Sequence, residues 1–292
     1  MKKVTVKVPA TTANIGPGFD CLGCAFSLYD TLTYEIMDSG LEIIGDSPAY
    51  CNEHNLAVRG YKSVTDRLAI PMDGLRITAD YRIPMSHGLG SSAAMIVAGA
   101  AAANALHGSP FTKDELLEIT TPLEGHPDNL APALFGGLTA SLMLGEKPVT
   151  VRYTLSKNVA FTVLIPDFNL STSLARSVLP DTVSRGDAIF NISHTAVLLK
   201  ALELGDGEII SAALDDRLHQ PYRSSLIPGY EEIRALALDC GADGFCISGA
   251  GPTLLSVSTA PSVPERLERA MERFPTWKVM TLRTDSEGVK AE

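Results

Sequence analysis

Between Pro84 and Leu106 a loop of glycine and serine, Pro84-Met85-Ser86-His87-Gly88-Leu89-Gly90-Ser91-Ser92, runs directly into a stretch dominated by alanine. The alanines (Ala93, Ala94, Ala98, Ala100 to Ala103) predict a helix from about Ser91 to Leu106 whose small side chains let other elements approach closely. Glycines in the loop let the backbone close on an anion, and free N–H groups at the helix start favour phosphate oxygens. The serine pair supplies hydroxyls that bond phosphate or act as hard oxygen ligands for Mg²⁺. No lysine follows the glycines, which excludes a Walker loop, and Gly88-x-Gly90 alone is not a dinucleotide fingerprint. Glycine spacing by itself is equally compatible with an ordinary turn heading an alanine-rich helix.

The chain has 292 residues, long enough for two domains at about 150 residues each. Its 34 acidic against 24 basic residues leave a formal charge of −10, which disfavours a general nucleic-acid binder. An anionic substrate must then be held by local cations, helix ends or a metal. The longest apolar run, Ala93 to Ala103, is too short to span a bilayer. Met1-Lys2-Lys3 resembles the start of a signal peptide, but Lys7 and Pro9 interrupt the apolar stretch that a signal peptide needs. A cytosolic protein is expected. Five cysteines, an odd and scattered number, fit a reducing compartment. Cys21-x-x-Cys24 has redox or zinc spacing but lacks a second close pair, because Cys240 and Cys246 stand too far apart, so small side chains in a tight loop are expected instead.

Strands are predicted at Val4–Val8, stopped by Pro9, then around Thr31–Met37, Leu75–Ala79, Leu138–Leu144 and Ala160–Ile165. Two short strands flank Ser248-Gly249-Ala250-Gly251-Pro252, and Trp277–Leu282 is expected to close the chain. Thr112-Lys113-Asp114-Glu115 has capping-box spacing and opens a helix with Leu116, Leu117 and Ile119 on its apolar side. Further helices are expected near Asp187–Leu204, Gly207–Leu214, Gly229–Leu238 and from Ser262 to about Phe274. Lys147-Pro148 and Ser156-Lys157-Asn158 suggest a boundary near residue 155, giving domains 1–155 and 156–292. Strands and helices mix without strict βαβ alternation, which favours a two-domain α+β fold over a doubly wound sheet.

The string Pro84 to Ala94 matches P-x-x-x-G-L-G-S-S-A-A, the signature of the GHMP kinases. Pro9-Ala10-Thr11-Thr12-Ala13-Asn14-Ile15-Gly16-Pro17-Gly18-Phe19-Asp20 resembles the N-terminal signature of the homoserine kinase branch of that family. Glu124-Gly125-His126-Pro127-Asp128-Asn129-Leu130-Ala131-Pro132-Ala133 resembles its second central motif, and Ser248 to Thr253 its third, a glycine loop. The resemblance implies a ribosomal-protein-S5-like N-terminal domain carrying the ATP loop and a ferredoxin-like α+β C-terminal domain. It also implies ATP-dependent phosphorylation of the homoserine side-chain hydroxyl in threonine biosynthesis.

By the same resemblance, Pro84, Met85, Ser86, His87, Gly88, Leu89, Gly90, Ser91, Ser92, Ala93 and Ala94 surround the nucleotide phosphates. Ser92, with Ser91 as the alternative, and Glu124 hold Mg²⁺. Asn55 contacts adenine, although an Asn entering a helix reads equally well. Arg176 and Arg223 bind the substrate carboxylate, a task suited to bidentate guanidinium geometry. Asn14 and Asp20 take the ammonium group, and Thr172, His126 and Gly249 complete the substrate side. Asp128 is either a general base or structural, with Asn129 orienting the hydroxyl. Two rivals remain at this level: another GHMP enzyme such as mevalonate kinase or diphosphomevalonate decarboxylase, and a non-catalytic nucleotide-binding relative. A mevalonate-type substrate lacks an ammonium group and leaves Asn14 and Asp20 without a task; a sensor predicts loss of Ser91, Ser92 or Glu124, all of which are present. The family also implies a homodimer.

Overall fold

A computed structural model describes residues 2–292. The first half is built on one seven-stranded sheet. Its strands are β1 (Lys3–Ala13), β2 (Leu22–Met37), β3 (Leu41–Ile44), β4 (Gly74–Asp80), β5 (Leu138–Leu144), β6 (Lys147–Tyr153) and, from the far end of the chain, Lys290–Ala291. The helices of this half are α1 (Leu56–Arg67), α2 (Ser91–Leu106), α3 (Lys113–Glu124) and α4 (Leu130–Phe135).

Pro9 does not end the first strand. β1 runs on to Ala13 against β2, and the register shifts between Pro9 and Ala10. A bulge absorbs the missing N–H of proline, and the strand resumes beyond it. Val4, Val6 and Val8 alternate inward, whereas Ala10 to Ala13 are all buried because the other half of the molecule covers the outer face there.

α2 spans the predicted residues and is buried almost all round. Its small residues serve helix contact: a Cβ on Gly99 would lie 2.0 Å from Ala57 O, and one on Gly60 of α1 would lie 2.1 Å from Ile96 O. The two backbones therefore touch, and larger residues at either position would separate them. α3 carries the expected capping box, with Thr112 and Glu115 bonding each other's backbone, and ends at Gly125 in the left-handed conformation.

The second half holds a four-stranded antiparallel sheet of β7 (Ala160–Pro166), β8 (Gly244–Ile247), β9 (Leu254–Ser258) and β10 (Trp277–Leu282). Its order is β10-β7-β9-β8, the fourth-first-third-second arrangement of a ferredoxin-like fold. The intervening helices are α5 (Thr172–Ser177), α6 (Arg185–Leu204), α7 (Gly207–Ala213), α8 (Gln220–Arg223), α9 (Tyr230–Asp239) and α10 (Val263–Met271). β10 does not close the chain: Lys290–Ala291 forms β11, antiparallel to β1, so the tail returns to the first sheet. One large apolar cluster joins Val6, Ile15 and Leu89 to Phe161, Leu198 and Leu255 across the two halves, and a second, around Leu164, Ile233 and Leu267, lies within the second half. Among the described residues no helix is long and apolar enough to cross a membrane.

Candidate active site

The three motif loops meet at one end of this shared core, and their contacts are mostly backbone. A Cβ on Gly88 would lie 2.2 Å from Ser248 O, so only glycine lets the two glycine loops touch. Ser248 donates its hydroxyl to Gly88 O at 2.6 Å and lies 2.8 Å from Thr12 Oγ1, while Gly249 N bonds Ala13 O and Thr253 N bonds His87 O. Asn14, at φ 70, donates its amide to Gly249 O at 2.7 Å and accepts from the Asp20 backbone N–H. Asp30 is buried and accepts from the N–H groups of Arg82 and Ile83, pinning the entry to the loop.

These loops enclose a cavity of about 310 Å³. At one end lies the start of α2. Its N-cap is Gly90 in the left-handed conformation, with no side chain bonding the first turn. By contrast Asn55, Thr112 and Ser184 cap α1, α3 and α6. The first-turn donors of α2 are therefore left to whatever enters the cavity. Next to them Ser92 donates to Glu124 Oε2 at 2.5 Å. Burial raises the Glu124 carboxyl above its usual range, partly offset by that hydrogen bond and by His126.

In the middle, Thr11 Oγ1 donates to Asn129 Oδ1 at 2.8 Å. This fixes the amide so that Nδ2, which has no protein acceptor among the described residues, is available to the cavity. Asp128 is buried and meets His126 Nδ1 at 2.5 Å. Burial opposes charge on His126, but the Asp128 hydrogen bond and charge outweigh it, and its pKa rises.

At the far end Arg176 grips Asp20 in a bidentate pair, Nη1 to Oδ2 at 3.0 Å and Nη2 to Oδ1 at 2.7 Å. That pair raises the arginine pKa further. Arg223 is 1% exposed and forms no ion pair with a carboxylate among the described residues. Its Nε donates to Ala175 O at 2.9 Å and its Nη1 to Gly249 O at 3.2 Å, which leaves Nη2 free. Burial, then repulsion from Arg176, lowers its pKa to about 10.

Sequence reasoning placed most of this wall. Asn14, Asp20, Asn55, Met85, Ser86, His87, Gly88, Gly90, Ser91, Ser92, Glu124, His126, Asp128, Asn129, Thr172, Arg176, Arg223 and Gly249 all line the cavity. Leu89, Ala93 and Ala94 do not; they are fully buried in the core beneath it, and Pro84 is also off the wall. Of the two serines, Ser92 is the one that meets Glu124. The Asn55 amide is occupied: Oδ1 caps α1 through Ala57 N, and Nδ2 donates to Asp46 and to Tyr50 O. Asn55 thus enters the helix and at the same time lines the cavity. Asp46, Tyr50, His54, Leu56 and Met95 also line the cavity and were not anticipated, since they belong to no motif. The Asp20–Arg176 pair was likewise missed, because its members are 156 residues apart.

The chain is similar to known proteins over nearly its whole length. Residues 55–137 match the family model for the GHMP kinases N terminal domain, and residues 198–275 that for GHMP kinases C terminal. A homoserine kinase of a Synechococcus species is 44% identical over 98% of this chain and 94% of its own length. One from Clostridium botulinum is 38% identical, over 98% of this chain and 97% of its own. The crystal structure of homoserine kinase from Cytophaga hutchinsonii superposes with a TM-score of 0.90 at 28% identity, covering 100% of this chain and 98% of that one. With motifs, fold and full-length relatives in agreement, the chain belongs to the homoserine kinase family of the GHMP kinases.

Proposed function

We propose that this enzyme transfers the γ-phosphoryl group of ATP to the side-chain hydroxyl of L-homoserine, giving O-phospho-L-homoserine for threonine biosynthesis. The observation that carries the reading is the far end of the cavity, where a buried guanidinium, without an acidic partner among the described residues, stands beside the Asp20–Arg176 pair. An amino acid brings one charge of each sign. Its carboxylate takes Arg223 and Arg176, its ammonium takes Asp20 and the Asn14 region, and the direct Asp20–Arg176 pair gives way to two substrate contacts. A hydroxy acid without an amine leaves Asp20 with no new partner.

The triphosphate lies along the Gly88–Ser92 loop, where the uncapped turn of α2 supplies N–H donors. Ser92 Oγ and the Glu124 carboxylate are hard oxygen donors already in contact, a set that fits Mg²⁺ and would hold it. When bound, that ion supplies positive charge to the phosphate oxygens. Asn129 Nδ2 donates to the substrate hydroxyl oxygen and directs it toward the phosphorus. An amide donor cannot accept the proton, so Asn129 acts by alignment, and a loose transition state lets proton loss come late. Asp128 is engaged with His126 and serves to hold that imidazole at the substrate's edge.

The test is an ADP-release assay with ATP and magnesium, comparing homoserine with mevalonate and with 4-hydroxybutyrate. Turnover of homoserine alone is expected. Turnover of mevalonate at a comparable kcat/KM would refute the assignment of the far end to an amino acid.

A further inference from the structure

Two backbone carbonyls take only part of the hydrogen-bonding capacity of Arg223. A buried guanidinium needs acceptors for its N–H groups, yet a carboxylate among them would cancel the charge that attracts the substrate. Beside the carbonyls of Ala175 and Gly249, His219, at the N-cap of α8, supplies a third neutral acceptor. Its side chain is fully buried, and its Nε2 lies 2.9 Å from Gly16 O and 3.6 Å from Asp216 Oδ2. Both neighbours are acceptors, so Nε2 carries the hydrogen and Nδ1 presents a lone pair. That Nδ1 faces Arg223 Nη1 at 3.5 Å.

The ring is also held in plane. Phe19 stacks on His219 with centroids 5.2 Å apart, and the Arg223 guanidinium carbon lies 5.1 Å from the centroid of the same phenyl ring. Asp216 accepts from the backbone N–H groups of Leu218, His219 and Gln220 and from Asn191, which fixes the turn that carries the imidazole. Burial lowers the His219 pKa, consistent with a neutral ring.

We infer that His219 is a positioning residue for substrate recognition: a neutral acceptor that orients Arg223 toward the substrate carboxylate without neutralising it, while tying Arg223 to the Gly16 loop. The inference rests on the reading that Arg223 receives that carboxylate.

Two substitutions split the imidazole into its halves. His219→Gln places an amide donor near the Nε2 position, keeping the reach to Gly16 O and losing the acceptor facing Arg223. His219→Asn places an amide oxygen near the Nδ1 position and keeps that acceptor. Steady-state kinetics on the full-length enzyme should show KM for homoserine rising about tenfold or more in His219→Gln, and about threefold or less in His219→Asn. The kcat and the KM for ATP should stay within about twofold in both. Equal effects of the two variants, a parallel loss in all three constants, or failure of both to accumulate as folded protein would make His219 structural and overturn the inference. Arg223→Lys, measured alongside, separates the layers. If it leaves the homoserine KM unchanged, the reading of Arg223 itself fails; if it raises KM while His219→Gln does not, only the role of His219 fails.

Discussion

Gly90→Ala perturbs the point where the Gly88–Ser92 loop, β1 and Asn129 touch. Gly90 sits at φ 70, and a Cβ there would lie 1.9 Å from Thr11 Oγ1 and 3.1 Å from Asn129 Oδ1. The substitution is penalised twice. The left-handed backbone costs a non-glycine residue about 1 kcal/mol. Forcing a methyl group into the Thr11–Asn129 contact adds about 1–3 kcal/mol of overpacking. Gly145, in the β5–β6 turn, provides the control: its φ is 64 and nothing lies within 4 Å of its Cβ position. Gly145→Ala should therefore lose about 1 kcal/mol, a Tm decrease of about 2–4 °C for a chain of this size. Gly90→Ala should lose about 2–4 kcal/mol, a Tm decrease of about 4–16 °C. Catalysis should diverge further, because the methyl group displaces the hydroxyl that fixes Asn129. A misplacement of about 1 Å costs on the order of 100-fold in rate. Scanning calorimetry and initial rates at saturating ATP and homoserine read both effects. If Gly90→Ala melts with Gly145→Ala and keeps kcat within about threefold, the Thr11–Asn129 contact does not align the acceptor.

Glu124→Ala should reduce kcat far more than Asp128→Asn, because it removes a hard oxygen donor beside Ser92, at the proposed phosphate site, whereas the second change leaves an amide that can still bond His126. Magnesium-dependent kinetics of the two variants decide this, and equal, severe losses would restore Asp128 as a base. Arg176→Leu should raise the homoserine KM strongly with little change in the ATP KM; a variant with the reverse pattern would place the arginine on the nucleotide side. The His126–Asp128 contact sets a pH dependence of stability. The folded His126 pKa is raised above its unfolded value of about 6.5, so the stabilisation is complete below that pH and is lost as pH rises through the folded value. Melting temperatures of wild type and His126→Gln measured upward from about pH 6 should converge as pH increases, and a gap that widens with pH would reverse the sign of the coupling.

What could be read from the sequence was whatever the chain encodes locally. The ends of α2 follow from Gly90 and the alanines, the start of α3 from the Thr112–Glu115 capping box, and the turn before α2 from glycines adjacent in sequence. Helix α1 shows the opposite case. Gly60 in its middle weakens the local helical signal, and its reason lies in α2, where Gly99 and Ile96 need a backbone with no side chain between them. The strand beyond Pro9 was hidden for a related reason: proline ends a strand by its own geometry, and only the bulge against β2 lets β1 continue. The same division runs through the site. Residue types at Asp20, Arg176 and Arg223 announce charge, but the choice of partner is made across the cleft. Asp20 takes Arg176 and leaves Arg223 to carbonyls and an imidazole. That choice has a chemical consequence: had Arg223 taken the carboxylate as well, the far end would hold no uncompensated cation and little attraction for an anionic group. Among the described residues one arginine is paired with a carboxylate and the other is not; the proposed amino-acid end of the cavity rests on that asymmetry, which arises only when the fold brings Phe19, His219 and Gly249 around a single guanidinium.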